Sequence, residues 1–171
     1  MENTQNILLV DKDDKELGYG EKLQVHKDGL LHRAFSIFIF NTEGQFLMQK
    51  RYSGKYHSPG LWSNTCCSHQ RQGESLVQAA HSRLKYEMGF DTELKEAFSF
   101  IYKTEFENEL IEHELDHVFL GTYDGPVSPE PSEVEGYQWI SVKNLMDEMK
   151  RNPQQFTYWF KNCINRVVSQ L

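Results

Sequence analysis

Apolar and polar positions alternate along this chain in short runs that predict strands, interrupted by one strong helical period in the middle and two at the end. Ile7 to Val10 is a four-residue apolar run that ends in Asp-Lys-Asp-Asp-Lys-Glu, the pattern of a strand closing in a solvated turn. Lys22 and His26 follow, then a turn at Gly29, then Leu31-His32-Arg33-Ala34 and the run Phe35 to Phe40. Phe and Ile fill that last run without polar relief, which predicts a central strand covered on both faces. Asn41 to Gly44 reads as a turn, and Phe46 to Arg51 as the returning strand of a hairpin that delivers Arg51, with Lys55 just beyond it.

The helical signal begins at Ser75, which with Gln78 three residues on makes a capping box, so the helix is expected from Leu76. Gly89 supplies a left-handed stop after Met88. At about 100° per residue, Leu76, Val77, Ala80, Leu84 and Met88 share one arc. Glu87 falls inside that arc and Arg83, four residues back, at its edge. A carboxylate on a core-facing arc must find a cation or change its acidity, so Glu87 is either Arg83's partner or part of a site.

Beyond it, Thr92 to Lys95 alternates weakly, Phe98 to Phe106 reads as a strand, residues 107–109 as a turn, and Leu110 to Thr122 as a long return strand. Residues 125–132 hold three of the five prolines and form a loop. Gly136 to Ile140 is expected as the last strand. Ser141 caps a helix to about Arg151, Asn152-Pro153 breaks it, and Pro153 is expected to open a final helix carrying Phe156, Trp159, Phe160, Cys163, Ile164 and Val167. The expected class is α+β: a mixed sheet with a central helix and C-terminal helices, in one domain spanning 1–171.

Size and charge narrow the function. A chain of 171 residues buries roughly 70% of its unfolded surface without covalent staples. Its net charge is −7 and no Lys/Arg block stands out, which argues against nucleic acid or an anionic membrane as a partner. Three cysteines, two of them adjacent, do not make a disulfide framework and suggest a reducing compartment. The stretch from Met1 to Asp14 has only four consecutive apolar residues, too few for a signal peptide, and no run approaches the roughly 20 a membrane span needs. The expectation is a cytoplasmic protein.

Chemistry concentrates in two places. In the loop before the central helix, Cys67 and His69 point the same way if that segment is extended. On the long return strand, Glu112, Glu114 and Asp116 share one face, and adjacent like carboxylates repel unless the face is solvated or a cation sits there. His26, His32 and His69 are the nitrogen donors that could complete such a site. Three imidazoles and two carboxylates suit Mn²⁺, Zn²⁺ or Mg²⁺ in that order. Lys22, Arg51, Lys55 and Arg83 read either as solvated surface charge or as a phosphate clamp. Trp159 and Tyr102 read most simply as packing, although an indole face also steadies a carbocation by about 0.5–2 kcal/mol.

Taken together, Gly60-Leu-Trp-Ser-Asn-Thr-Cys-Cys-Ser-His69, Leu30-Leu-His-Arg-Ala-Phe-Ser36, the Ser82–Phe90 helix end and Ile111-Glu-His-Glu-Leu115 resemble the type I isopentenyl diphosphate isomerases of the Nudix fold superfamily. The likeness runs from about Glu21 to Phe160. It departs from the Nudix hydrolase helix motif: Ser68 stands for its first Gly, Ser82-Arg83 for Arg-Glu, and Tyr86 precedes Glu87 where a second Glu belongs. Only Glu74, Glu87 and Gly89 remain of it, and the isomerases share that loss.

The resemblance implies a Nudix-like sandwich and interconversion of isopentenyl and dimethylallyl diphosphate. It also implies Cys67 and Glu114 as the two acid/base groups, Tyr102 bonded to Glu114, and Trp159 facing the cation. His26, His32, His69, Glu112 and Glu114 would hold one divalent ion, Mn²⁺ or Zn²⁺. Glu87 and the Cys67 carbonyl would hold Mg²⁺ at the diphosphate, with Lys22, Arg51, Lys55 and Arg83 taking the remaining charge. His26 is the weakest of these assignments, because the loop between it and His32 varies in length among relatives, and Cys66 competes with Cys67. His57, His81, His113 and His117 receive no role. Two alternatives stand beside the isomerase: a Nudix hydrolase, which needs more helix carboxylates, and a non-catalytic prenyl-diphosphate-binding module.

Overall fold

The computed structural model describes residues 5–171; of the N-terminal stretch judged too short for a signal peptide, Met1 to Thr4 lie outside the described residues. The chain is organised around β3 (His32–Phe40), buried along almost its whole length. One edge of β3 pairs in parallel with β8 (Ile111–Thr122) from His32↔Glu114 to Phe40↔Thr122. Its other edge is shared by three antiparallel strands in succession. These are β1 (Asn6–Val10) at His32, β6 (Cys66–His69) over Ala34 to Ile37, and β4 (Gln45–Arg51) at Ile39 and Phe40. Outward from these, β2 (Glu16–Glu21) pairs with β1, β7 (Lys95–Glu105) with β8, and β4 with both the two-residue β5 (Trp62–Ser63) and β9 (Val134–Ser141).

Alternation along β3 builds two cores, which is why a continuous apolar run was needed. Phe35, Ile37 and Ile39 face α2 (Leu76–Met88), where Ala79, Ala80, Leu84 and Met88 are buried against them. Phe38 and Phe40 face the other side, packed with Phe46, Met48 and Val118 under α3 (Val142–Arg151) and α4 (Tyr158–Val168). Leu84 is fully buried, and cutting it to Ala would cost about 2–5 kcal/mol. The capping box at Ser75 and the left-handed Gly89 (φ 79°) bound α2 as the spacing predicts. Gly89 is also required sterically, because a Cβ there would meet the Ser128 carbonyl oxygen.

Four local expectations are corrected. The segment between Val10 and Gly29 forms β2 and a short helix, α1 (Lys22–Asp28), capped by the Glu21 carboxylate, which accepts from the Leu23 and Gln24 amides. Seven residues are too few to show a helical period. Pro153 opens only a 3-10 turn, Pro153–Gln155; the chain is extended at Phe156, and α4 starts at Tyr158. Phe156 therefore packs in the core from outside the helix. Val77 is 53% exposed, while Ala79, on the other flank of the arc and not expected there, is fully buried. β7 begins at Lys95, three residues before the expected Phe98.

Candidate active site

The register of β3 decides which side chains meet. Residues paired across neighbouring strands project to the same face. His32 lies opposite Glu114, Ala34 opposite both His69 and Asp116, and Ser36 opposite Cys67, while Tyr102 on β7 lies opposite Glu114. Cys67, His69, His32, Glu114, Asp116 and Tyr102 thus share one face of the sheet. Cys66, one residue off, turns to the opposite face and is buried in the α2 core. The two adjacent cysteines are separated by the pleat alone.

At one end of this face five buried residues converge. One donor atom each from His26, His32, His69, Glu112 and Glu114 lies within 4.8 Å of the others. His26 Nδ1 is bonded to the Lys22 carbonyl at 2.6 Å and His32 Nδ1 to the Leu30 carbonyl at 2.9 Å. A carbonyl only accepts, so both rings carry their proton on Nδ1 and turn an Nε2 lone pair inward. There His26 Nε2 meets the Glu112 carboxylate, and His32 Nε2 stands 3.3 Å from Glu114 Oε2. Lone pairs pressed against carboxylate oxygens repel. The His26 and His32 Nε2 atoms and Glu112 Oε1 are all buried without a hydrogen-bond partner among the described residues. A cation among them relieves all three, and N/O donors of this kind fit a divalent ion.

The acidities tell the same story. Burial drives His26 down, and His69 down to about 3, which keeps both rings neutral, as a ligand must be. Burial raises Glu112 strongly, and the charge of Glu114 adds to the effect. Burial also works against the charged form of Glu114, but the facing His32 and His69 imidazoles (His69 Nε2 to Oε2, 2.8 Å) outweigh it and hold that carboxyl well below its usual range. The Tyr102 hydroxyl donates to the other oxygen, Glu114 Oε1.

Cys67 and Glu114 line one cavity, and Trp159 and His57 form part of its wall. Burial pushes the Cys67 thiol up to about 12, so it is held as a thiol. Trp159 is fixed from behind: its Nε1 donates to Asn64 Oδ1 at 3.1 Å, and Asn64 is itself tied to the Cys66 carbonyl at 2.8 Å. Asn64 escaped the sequence reading, and His57 was left there without a role. His57 stacks on Phe106 (ring centroids 4.7 Å apart, planes at 8°) and meets the Trp159 ring nearly at right angles, centroids 5.8 Å apart. Asp116 accepts from Ser36 Oγ at 2.7 Å, and its Oδ1 is buried without a partner among the described residues.

All four cations named from the sequence reach this cavity. Arg51 donates to the Ser58 and His57 carbonyls, at 3.1 Å each, and its guanidinium lies 5.3 Å from the Trp159 ring. Lys55 pairs with Glu133, and Lys22 lies 5.5 Å over the Tyr56 ring. Arg83 bonds Glu87 Oε2 at 2.7 Å, and Gln49 donates to Oε1 at 3.2 Å. Glu87 is therefore Arg83's partner and a cavity residue at once. It is the only carboxylate on α2. Of the unassigned histidines, His113 meets the Gly29 carbonyl, His81 meets Asp91, and His117 lies between Asp14 and Glu96. Arg71 and Glu133, also unassigned, stand at the cavity mouth.

Comparison with known proteins places this geometry in a lineage. Residues 30–160 match the NUDIX domain family. An isopentenyl-diphosphate Delta-isomerase of Serratia proteamaculans is 49% identical over 154 residues, covering 90% of this chain and 86% of that protein. One from Burkholderia multivorans is 48% identical over 163 residues, covering 95% and 93%. Among solved structures, a Deinococcus radiodurans protein superposes with a TM-score of 0.70 at 16% identity, over 85% of this chain and 89% of its own. A Burkholderia pseudomallei MutT NUDIX hydrolase does so at 0.63 and 19%, over 80% and 98%. At such identities these two establish the fold alone.

Proposed function

Because this chain belongs to the isopentenyl-diphosphate Delta-isomerases on a NUDIX domain, we infer that Cys67 and Glu114 perform its proton transfers and that the cavity between them holds the prenyl diphosphate. The observation that carries this reading is their shared cavity: a thiol and a carboxyl from two strands flanking β3, on one sheet face, under an indole.

The reaction adds a proton to C4 of isopentenyl diphosphate, leaving a tertiary cation at C3, and removes one from C2. The thiol and the carboxyl work as a pair, one giving the C4 proton and the other taking the C2 proton. Microscopic reversibility exchanges their roles in the return direction. Tyr102, bonded to Glu114 Oε1, fixes the carboxyl's orientation. Trp159, locked by Asn64, presents a π face to the cation. The aromatic wall of His57 and Trp159, with Phe106 stacked on His57, helps keep water from capturing it.

His26, His32, His69, Glu112 and Glu114 would hold a divalent ion, Mn²⁺ or Zn²⁺ by donor type. Glu87 and the Cys67 carbonyl offer oxygens that suit Mg²⁺ at the diphosphate. When bound, these ions supply the positive charge that tunes the Glu114 carboxyl and neutralises the diphosphate. Lys22, Arg51, Lys55 and Arg83 take the charge left over.

Following the alkene protons by NMR with purified protein, Mg²⁺ and substrate tests the assignment. Cys67→Ala and Glu114→Gln should each bind substrate within a few-fold of wild type and lose at least ~1,000-fold in turnover, the scale on which removing an essential proton-transfer group acts. Near-normal turnover in either removes that residue from the chemistry.

A further inference from the structure

The charges lining the cavity do not balance. Glu87 is taken by Arg83, Glu133 by Lys55 with Arg83 at 3.6 Å, and Glu112 and Glu114 face imidazoles. Lys22, Arg51 and Arg71 are left without a carboxylate among the described residues. Arg51 is occupied by two carbonyls and Lys22 lies against a tyrosine ring. Arg71 alone among the cavity's cations has no hydrogen bond, ion pair or aromatic ring for its side chain among the described residues, yet it lines the cavity.

Its placement follows from the strand that carries Cys67 and His69. In extended chain, residues two apart share a face, so 67, 69 and 71 project together. The segment stays extended past β6. Ile7 bridges Arg71, the Leu8 amide donates to the Gln70 carbonyl at 3.1 Å, and the Gln72 amide to the Asn6 carbonyl at 2.9 Å. The Arg71 amide is held by Glu74 Oε1 at 3.1 Å. A guanidinium on a backbone pinned at this many points is preorganised for an anion. Arg71 also lines a neighbouring groove with Gln5, Ser82, Arg83, Tyr86 and Glu133, a groove that neither Cys67 nor Glu114 lines, so it stands where the cavity opens towards solvent. Lys22, whose ammonium is weakened first by burial and then by Lys55, Arg83 and Arg71, shows the same crowding of like charge. An anion relieves it.

We propose that Arg71 is a further substrate-binding residue, donating to the phosphate of the bound diphosphate that lies farthest from the hydrocarbon. The inference rests on reading this cavity as the prenyl-diphosphate site and adds a contact that Lys22, Arg51, Lys55 and Arg83 do not make. On this assignment the contribution of Arg71 is to binding and not to the proton transfers.

The test compares Arg71→Gln and Arg71→Lys with Lys150→Gln, an exposed cation on α3 that controls for the loss of one net charge. In Arg71→Gln the KM for isopentenyl diphosphate and the inhibition constant of inorganic diphosphate should both rise about tenfold, the loss of one charge-assisted hydrogen bond, with kcat within about twofold. Arg71→Lys should recover part of both, keeping charge without the fork. Lys150→Gln should match wild type, and melting curves confirm that each variant is folded. If Arg71→Gln leaves both constants unchanged, or the loss falls on kcat alone, the proposal is overturned. If inorganic diphosphate fails to inhibit wild type at all, it is the reading of the cavity that fails.

Discussion

Removing the divalent ion should unsettle the protein more than removing any one of its ligands. Five donor atoms lie within 4.8 Å of one another, and three of them are buried without a partner among the described residues. Without a cation, imidazole lone pairs face carboxylate oxygens in a region water does not reach. An ion that binds the folded chain only, at 100 times its dissociation constant, adds about 2.7 kcal/mol of stability. For a chain of this size each kcal/mol moves the melting temperature by roughly 2–4 °C, so the metal-loaded protein should melt about 5–11 °C above the chelated one. Scanning fluorimetry in chelator, with Mn²⁺, Zn²⁺ or Mg²⁺ restored in turn, measures the shift and ranks the ions. Glu112→Gln should lose most of the shift, and its melting point in chelator should equal or exceed that of chelated wild type, because an amide N–H can donate to the His26 Nε2 lone pair. A wild-type melting point indifferent to chelator and to all three ions, or a full shift in Glu112→Gln, would refute the metal-site reasoning.

Tyr102→Phe removes one donor from a buried carboxylate, a loss of about 1.5–3 kcal/mol. Steady-state kinetics should show kcat down roughly 10- to 150-fold with KM little changed. His57, driven down to about 2 by burial and then by Arg51, should erode stability in acid. Its folded acidity lies below the unfolded value near 6.5, so the unfolded chain binds the extra proton and stability falls as pH drops below 6.5. Between pH 7.5 and 5 the cost is about 2 kcal/mol. Urea melts should show His57→Phe, which keeps the stack on Phe106, losing about that much less than wild type over the same interval.

The elements that a local pattern specifies were legible in the chain. β3 announces itself by apolar residues on both faces, and α2 by its capping box, its period and Gly89. Cys67, His69, Glu112 and Glu114 could be placed on their faces by alternation alone. What the sequence hid depends on contacts between distant segments. α1 is too short for a period, yet it is what brings His26 to Glu112 across the sheet. His57 sits in an irregular loop and acquires its place only when Phe106 from the β7–β8 turn stacks on it. Arg71 was within reach, since continuing the alternation from Cys67 through His69 lands on it. Val77 misled because the angle ignores position along the axis: it lies in the first turn, ahead of Ala79 to Met88, where the buried residues of the helix fall. No helix among the described residues is long and apolar enough to cross a membrane.

The division of labour between the thiol at 67 and the carboxyl at 114 is tested most directly by running the reaction in D₂O and locating the label by NMR. Wild type should place solvent deuterium on C4 as isopentenyl diphosphate is consumed and on C2 as the reaction returns. Cys67→Ala and Glu114→Gln should bind substrate but show neither isomerisation nor label at C4. Deuterium entering C4 at near wild-type rate in either variant would contradict the account.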